Sequence, residues 1–192
     1  MKKLIFATHN QNKVQEVNAV FDGFSVVSLA DLEYHQDIAE TETTFIGNAL
    51  LKARHIFEEF KTPVFSDDSG LEVQALDGAP GIFSARYAGE EKNHTKNNEK
   101  LLRALQKETQ REAQFKTIIA YKDATTEQTF EGIVKGTIAH RCSGTGGFGY
   151  DPLFIPEGYN KTFGELPREV KLALSHRSRA IAKLHEYLKS IT

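Results

Sequence analysis

Cysteine is almost absent from this chain: Cys142 is the only one in 192 residues. No intrachain disulfide can form, and cysteine usage gives no sign of secretion. As a lone thiol, Cys142 reads as a small packed residue near a loop. Basic runs are missing too. Lys and Arg number 24 against 26 Asp and Glu, a formal charge of -2. Binding of DNA or RNA by a basic surface is therefore not expected, although a local basic cluster can still hold one small anion. No apolar run is long enough to span a bilayer, so no membrane partner is expected. Met1 to Phe6 carries two lysines and no long apolar region, and reads as a first strand rather than a signal peptide. Repeats, linkers and low-complexity segments are also missing. What these absences leave is a cytoplasmic protein with one domain over residues 1–192. Its hydrophobic content of 40% is enough for a real core.

Helices and strands alternate along the whole length, which indicates an α/β fold. Leu4 to Ala7 reads as a buried strand. Thr8-His9-Asn10-Gln11-Asn12-Lys13 follows as a polar loop. Val14, Val17 and Phe21 then recur at helical spacing, with Asn10 or Asn12 as N-cap and Gly23 at the end. Free amides at a helix start beside Lys13 suit a phosphate. The glycines of a P-loop are absent, and an ordinary capped helix explains the same residues. Phe24 to Leu29 reads as a second strand. Asp31 to Glu42 is acidic and irregular, and most of its carboxylates are expected in water. A helix over Thr44 to Phe60, capped by Thr43 or Thr44, carries Asn48 and Lys52 on one side.

Pro63-Val64-Phe65 then leads into Ser66-Asp67-Asp68-Ser69-Gly70. The reading here is a strand with two carboxylates at its end, broken by Ser69 and Gly70. Neighbouring side chains on a strand point to opposite faces, so Asp67 and Asp68 do not share a site. A carboxylate at the C-terminal end of a buried strand is where open α/β sheets place their chemistry. A strand followed by a polar turn explains the stretch without any chemistry. Leu76 to Gly81 is a glycine-rich turn. Asn93 to Gln110 reads as a helix that buries Leu101, Leu102 and Leu105. Phe115 to Tyr121 and Thr129 to Ala139 read as a long antiparallel pair of strands joined through 122–126.

The segment Gly144-Thr145-Gly146-Gly147-Phe148-Gly149-Tyr150-Asp151-Pro152 is unusual. Its glycines let backbone approach a ligand. Phe148 and Tyr150 offer flat faces on which a base can stack, and Asp151 can accept hydrogen bonds. A tight loop with its aromatics tucked into the core is the alternative. Leu153 to Pro156 is a short strand and Gly158 to Pro167 a loop. The last helix runs from Ser175 to Ser190, with Ser175 as N-cap. His176 and Arg177 therefore sit in its first turn, where basic residues are unfavourable, and Lys171 lies just upstream. Something outside the helix must hold them there.

In this order the motifs resemble those of the inosine/xanthosine triphosphate pyrophosphatases. The matching pieces are Thr8-x-Asn10-x-x-Lys13 with Glu16, Asn48-Ala49 with Lys52-Ala53, and Ser66 to Leu71. They continue with Pro80-Gly81-x-x-Ser84-Ala85-Arg86, Gly144 to Pro152, Lys161 to Glu165, and Ser175-His176-Arg177. The resemblance implies a mixed sheet with long central strands in an elongated, two-lobed single domain with a cleft between the lobes. It also implies a homodimer, with the Gly78 to Gly89 region near the contact. The implied activity is Mg²⁺-dependent hydrolysis of dITP, ITP and XTP to the monophosphate and pyrophosphate. By the same resemblance, Thr8, His9, Asn10, Gln11, Asn12 and Lys13 bind the triphosphate with Lys52 and Ser69. Glu40 and Asp68 hold magnesium, and Asp68 accepts the proton of the attacking water. Phe148, Gly149, Tyr150, Asp151, Lys171, His176 and Arg177 hold the base and sugar. Asp67 is left to brace a loop or make an outer contact. A non-catalytic nucleotide-binding module and a pyrophosphatase acting on pyrimidine or modified nucleotides are the competing readings.

Overall fold

Leu4, Ile5 and Phe6 are almost wholly buried, which is what a strand covered on both faces requires. This strand is β1 (Lys2–Phe6). The computed structural model describes residues 2–19, 21 and 23–191. After β1 come α1 (Gln11–Asn18), β2 (Phe24–Ser28), α2 (Phe45–Phe60) and β3 (Val64–Val73). Two 3-10 turns follow, Gln74–Leu76 and Gly81–Arg86. The chain continues with α3 (His94–Ala104), β4 (Glu112–Lys122), β5 (Glu127–Ile138), β6 (Phe154–Pro156), α4 (Arg168–Leu174) and α5 (His176–Ser190).

The six strands form one mixed sheet in the order β2-β1-β3-β4-β5-β6. β1 pairs in parallel with β2 on one side and β3 on the other, and β5 pairs antiparallel with β6. β4 and β5 are neighbours joined by residues 123–126, a connection short enough only for opposite directions. The chain leaves β1 toward β2 and later returns to the other side of β1 with β3. This reversal makes the C-terminal end of β1 a switch point, where open α/β sheets bind ligands. In register, Phe6 lies opposite Phe65. Ser66, Asp67 and Asp68 therefore run just past the end of β1.

Several sequence expectations are corrected here. β3 is not broken by Ser69 and Gly70 but runs on to Val73, because beyond β1 it still has β4 beside it. α1 ends at Asn18, short of Gly23, although Phe21 is buried all the same. Val20, Asp22 and Met1 lie outside the described residues. α3 ends at Ala104 rather than Gln110, and α4 was not anticipated. Cys142 is exposed, not packed.

The fold divides into two compact units. One comprises Met1–Asp68, Thr117–Gly132 and Arg177–Thr192; the other comprises Ser69–Lys116 and Ile133–His176. In the first, Val14 and Val17 of α1 and Ile181, Leu184 and Leu188 of α5 cover Leu4, Phe6 and Phe65. The Phe6 and Phe65 rings stack at 4.4 Å between centroids. In the second, Leu71, Leu101, Phe115, Ile138, Phe154 and Phe163 are among the core residues. Among the described residues no helix is long and apolar enough to cross a membrane.

Candidate active site

Strand alternation on β3 separates the two aspartates as the sequence implies. Asp67 shares a face with Phe65 and meets α1 and α5. Lys13 Nζ donates to its Oδ1 at 2.8 Å, and Arg177 Nε donates to its Oδ2 at 3.0 Å. Arg177 Nη1 also donates to Glu16. Asp67, Glu16 and Arg177 are all buried. Burial alone would push the Asp67 carboxyl up, but Lys13 and Arg177 overcome it and hold the group well below the usual carboxylate range. The unfavourable place of Arg177 in the first turn of α5 thus has its reason: it is held there by two carboxylates.

Asp68 faces α2. Its Oδ1 lies 3.6 Å from Lys52 Nζ, and the same ammonium donates to Glu40 Oε1 at 2.6 Å. Asp68 Oδ2 is buried without a hydrogen-bond partner. Burial pushes the Asp68 carboxyl up, Lys52 opposes it, Glu40 adds to it, and the result is a group raised to about 6. Lys52 is raised in turn, because Asp68 and Glu40 outweigh its burial. Lys13, Lys52 and Arg177 thus lie among Glu16, Glu40, Asp67 and Asp68.

The acidic segment is tied to α2 at three positions. Lys52 holds Glu40, and Asn48 Oδ1 accepts from Glu42 N at 3.0 Å. Gly47 leaves room for Glu42, whose Cβ would stand 2.7 Å from any Cβ added there. Glu40 is therefore not one of the solvated carboxylates expected from the sequence. At the start of α1, Asn10 Oδ1 accepts from Asn12 N at 3.0 Å and Lys13 N at 3.4 Å. Thr8 Oγ1 accepts from Asn10 N at 3.1 Å, and the His9 ring bonds Gln36 O. Gln11 and Asn12 are exposed and Ser69 is half-buried. Asn10 is the cap, and it already engages two of the amides that the sequence offered to a phosphate.

In the second unit Asp151 Oδ2 accepts from Lys171 Nζ at 2.6 Å and from Phe148 N at 2.7 Å. Lys171 Nζ also stands 4.7 Å from the centroid of the Phe148 ring. Gly147 has φ +72° and sits so near Asp151 that a Cβ would stand 2.0 Å from Oδ2. The His176 ring stacks on Phe115 at 4.8 Å. Tyr150 corrects an expectation. Its ring packs in the core and its hydroxyl donates to Ser84 O at 2.8 Å. Of the two rings read as stacking faces, only Phe148 is half-exposed.

A family model described as the Ham1 family matches residues 4–187. The chain belongs to the Ham1 family. A relative from Flavobacterium johnsoniae, named dITP/XTP pyrophosphatase, is 46% identical over 187 residues, 97% of each chain. A relative of the same name from Porphyromonas gingivalis is 48% identical over 190 residues, 98% of each. The Ham1 protein of Staphylococcus aureus superposes with a TM-score of 0.91 at 40% identity over the whole of both chains. The Ham1 protein of Coxiella burnetii gives 0.91 at 34% identity, over 99% of this chain and 100% of its own. The resemblance read from the motifs and the α/β fold with a mixed sheet are both borne out.

In the sequence of this Ham1 chain Glu16 appeared only as part of a motif, and Asn48 only as a neighbour of Lys52 on one side of α2, without a partner of its own. For Glu16 the signal was available, because it lies three residues after Lys13 on the same face of α1. For Asn48 the signal was its spacing of four from Lys52. Asn98, which donates to Gly149 O at 3.1 Å, carried no signal beyond a polar residue in the apolar stripe of α3.

Proposed function

We propose that this chain hydrolyses non-standard purine nucleoside triphosphates (dITP, ITP and XTP) to the monophosphate and pyrophosphate, with Mg²⁺. The observation that carries this reading is Asp68: a buried carboxylate beside Lys52 and Glu40, with one oxygen unbonded. A protein that only binds an anion gains nothing from such a group. Among the described residues no three His, Cys, Asp or Glu side chains are placed to hold a metal by themselves. That fits magnesium, which prefers oxygen, retains waters, and takes one or two carboxylates together with substrate phosphates. Glu40 and Asp68 would hold it. When bound, the ion neutralises charge on the phosphates and lowers the Asp68 pKa.

The chain's own residues supply the rest. Lys13 and Lys52 neutralise the triphosphate, with Thr8 to Asn12 and Ser69 around it. Lys13 exchanges Asp67 for a phosphate oxygen as substrate binds. Asp68 takes a proton from water as the water oxygen bonds to phosphorus. The bridging bond of the α–β anhydride breaks, and its electron pair leaves with pyrophosphate. Phe148 offers its half-exposed ring to the base, with Gly149, Tyr150, Asp151 and Lys171 shaping the loop. With Nε and Nη1 fixed by carboxylates, the orientation of Arg177 is set before substrate arrives. We assign to it, with His176, the 6-oxo group that hypoxanthine and xanthine have and adenine lacks. A mispaired amino group there costs about 1–3 kcal/mol.

We also propose a homodimer in the cytoplasm, where the nucleotide pool lies. Phe83, 54% exposed with the Arg86 guanidinium 5.7 Å from its ring centroid, supports a contact through Gly78 to Gly89. The test of the activity is pyrophosphate release from dITP, ITP, XTP, ATP, GTP, CTP and UTP with and without Mg²⁺. Release of orthophosphate would overturn it, and release from pyrimidine nucleotides alone would transfer it to another substrate class.

A further inference from the structure

Helix α3 buries two adjacent asparagines, Asn97 and Asn98, along with Leu101. Asparagine is a poor residue for a helix interior, and a buried amide needs partners. Asn97 has them. Its Oδ1 accepts from Ala88 N at 2.7 Å, and its Nδ2 donates to Ala85 O at 2.9 Å and Ser84 O at 3.3 Å. It closes the turn that follows Gly81.

Asn98 is different. Among the described residues its side chain makes one hydrogen bond, from Nδ2 to Gly149 O at 3.1 Å, while its Oδ1 is buried with none. An unsatisfied buried oxygen costs more than an ordinary hydrogen bond returns, so stability alone favours an apolar residue there. What Asn98 provides is the direction of that bond. Gly149 lies between Phe148 and Tyr150 and has φ +64°. All three loop residues are referenced to the same helix. The His94 ring lies 6.5 Å from the Phe148 ring, Asn98 holds the Gly149 carbonyl, and Tyr150 Oη shares Ser84 O with Asn97.

We infer that Asn98 is a positioning residue for base selection: it fixes the Gly149 peptide and so sets the tilt of the Phe148 ring presented to the purine. The inference rests on the proposed activity, in which Phe148 takes the base. Asn98 touches no reacting atom, so its loss acts on recognition and not on the chemical step.

The test uses the full chain with Asn98→Leu, which keeps volume and removes the donor, and Asn98→Ala in case the larger side chain prevents folding. Asn97→Leu serves as the structural control. Steady-state pyrophosphate release from dITP and dGTP is measured with thermal melting. For Asn98→Leu the expected result is a KM for dITP raised about tenfold, the loss of one hydrogen bond. The kcat is expected within about twofold of wild type, the dITP-to-dGTP preference reduced, and the melting temperature undiminished. Unchanged KM and preference in a folded Asn98 variant would overturn the inference, as would equal losses in kcat for both substrates with a lowered melting temperature. If the wild-type protein releases no pyrophosphate from any purine triphosphate, it is the proposed activity that fails.

Discussion

Asp67 and Asp68 are neighbours with opposite electrostatics, and this is the most testable feature at the level of single residues. Asp67 is depressed by Lys13 and Arg177. Its contribution to stability is complete above the unfolded carboxylate value near about 4 and is lost as pH falls below it. Asp68 is raised to about 6, chiefly by burial. Its contribution is present below about 4 and is lost as pH rises toward 6. Asp68→Asn should therefore abolish turnover and yet stabilise the metal-free protein above pH 6, by about 1–2 kcal/mol or several degrees in Tm. Melting in EDTA from pH 4 to 7 checks this: the advantage of the variant should grow between about 4 and 6 and then level off. An advantage constant with pH would contradict it. Asp67→Asn should do the reverse and destabilise by about 3–5 kcal/mol, because the half-buried Lys13 loses its carboxylate and the buried Arg177 loses one of the two it pairs with. Denaturant unfolding measures that loss. The division between the two residues was legible from strand alternation alone. Their partners were not, because alternation says which face a side chain takes and not what covers that face.

At the level of elements, local signals found what local chemistry determines. The cap of α2 is Thr44, which accepts from Gly47 N at 3.0 Å, and of the apolar stripe that helical spacing gives, Phe45, Ala49, Ala53 and Ile56 are buried and Phe60 is half-buried. Tertiary pairing decided the rest. β3 runs through Ser69 and Gly70 because β4 lies beside it, and no window of sequence contains that neighbour. Most carboxylates of the acidic segment before α2 are exposed as read, but the seating of Glu40 was not legible locally because its anchor, Lys52, lies 12 residues beyond it. Its seating leads to a prediction at this scale. Gly47→Ala would press on Glu42 Cβ, which is backbone-proximal and cannot swing aside. Glu40 should shift with it, raising the Mg²⁺ concentration needed for half-maximal activity about tenfold while leaving the rate at saturating Mg²⁺ within about twofold. A metal titration of the variant checks this, and an unchanged Mg²⁺ requirement would mean that Glu40 does not depend on that seat.

Over the whole molecule, strand–helix alternation was enough for an α/β fold, and the mixed sheet followed from the family resemblance. Two lobes were expected from the resemblance, but where they divide was not legible, since β3, β4 and β5 each give residues to both units and their sequences show no break. Phe83 gives the prediction at this scale. Phe83→Asp should shift a dimer toward monomer in sedimentation, and a wild-type monomer would remove the proposed contact. The activity itself rests on Asp68 acting at the α–β anhydride with Mg²⁺. The most direct measurement is the product released from dITP by the wild-type protein and by Asp68→Asn, with Mg²⁺ and with EDTA. The expected result is pyrophosphate and dIMP from the wild type with Mg²⁺ only, and neither from the variant. Orthophosphate as the product, or a normal rate from Asp68→Asn, would contradict it.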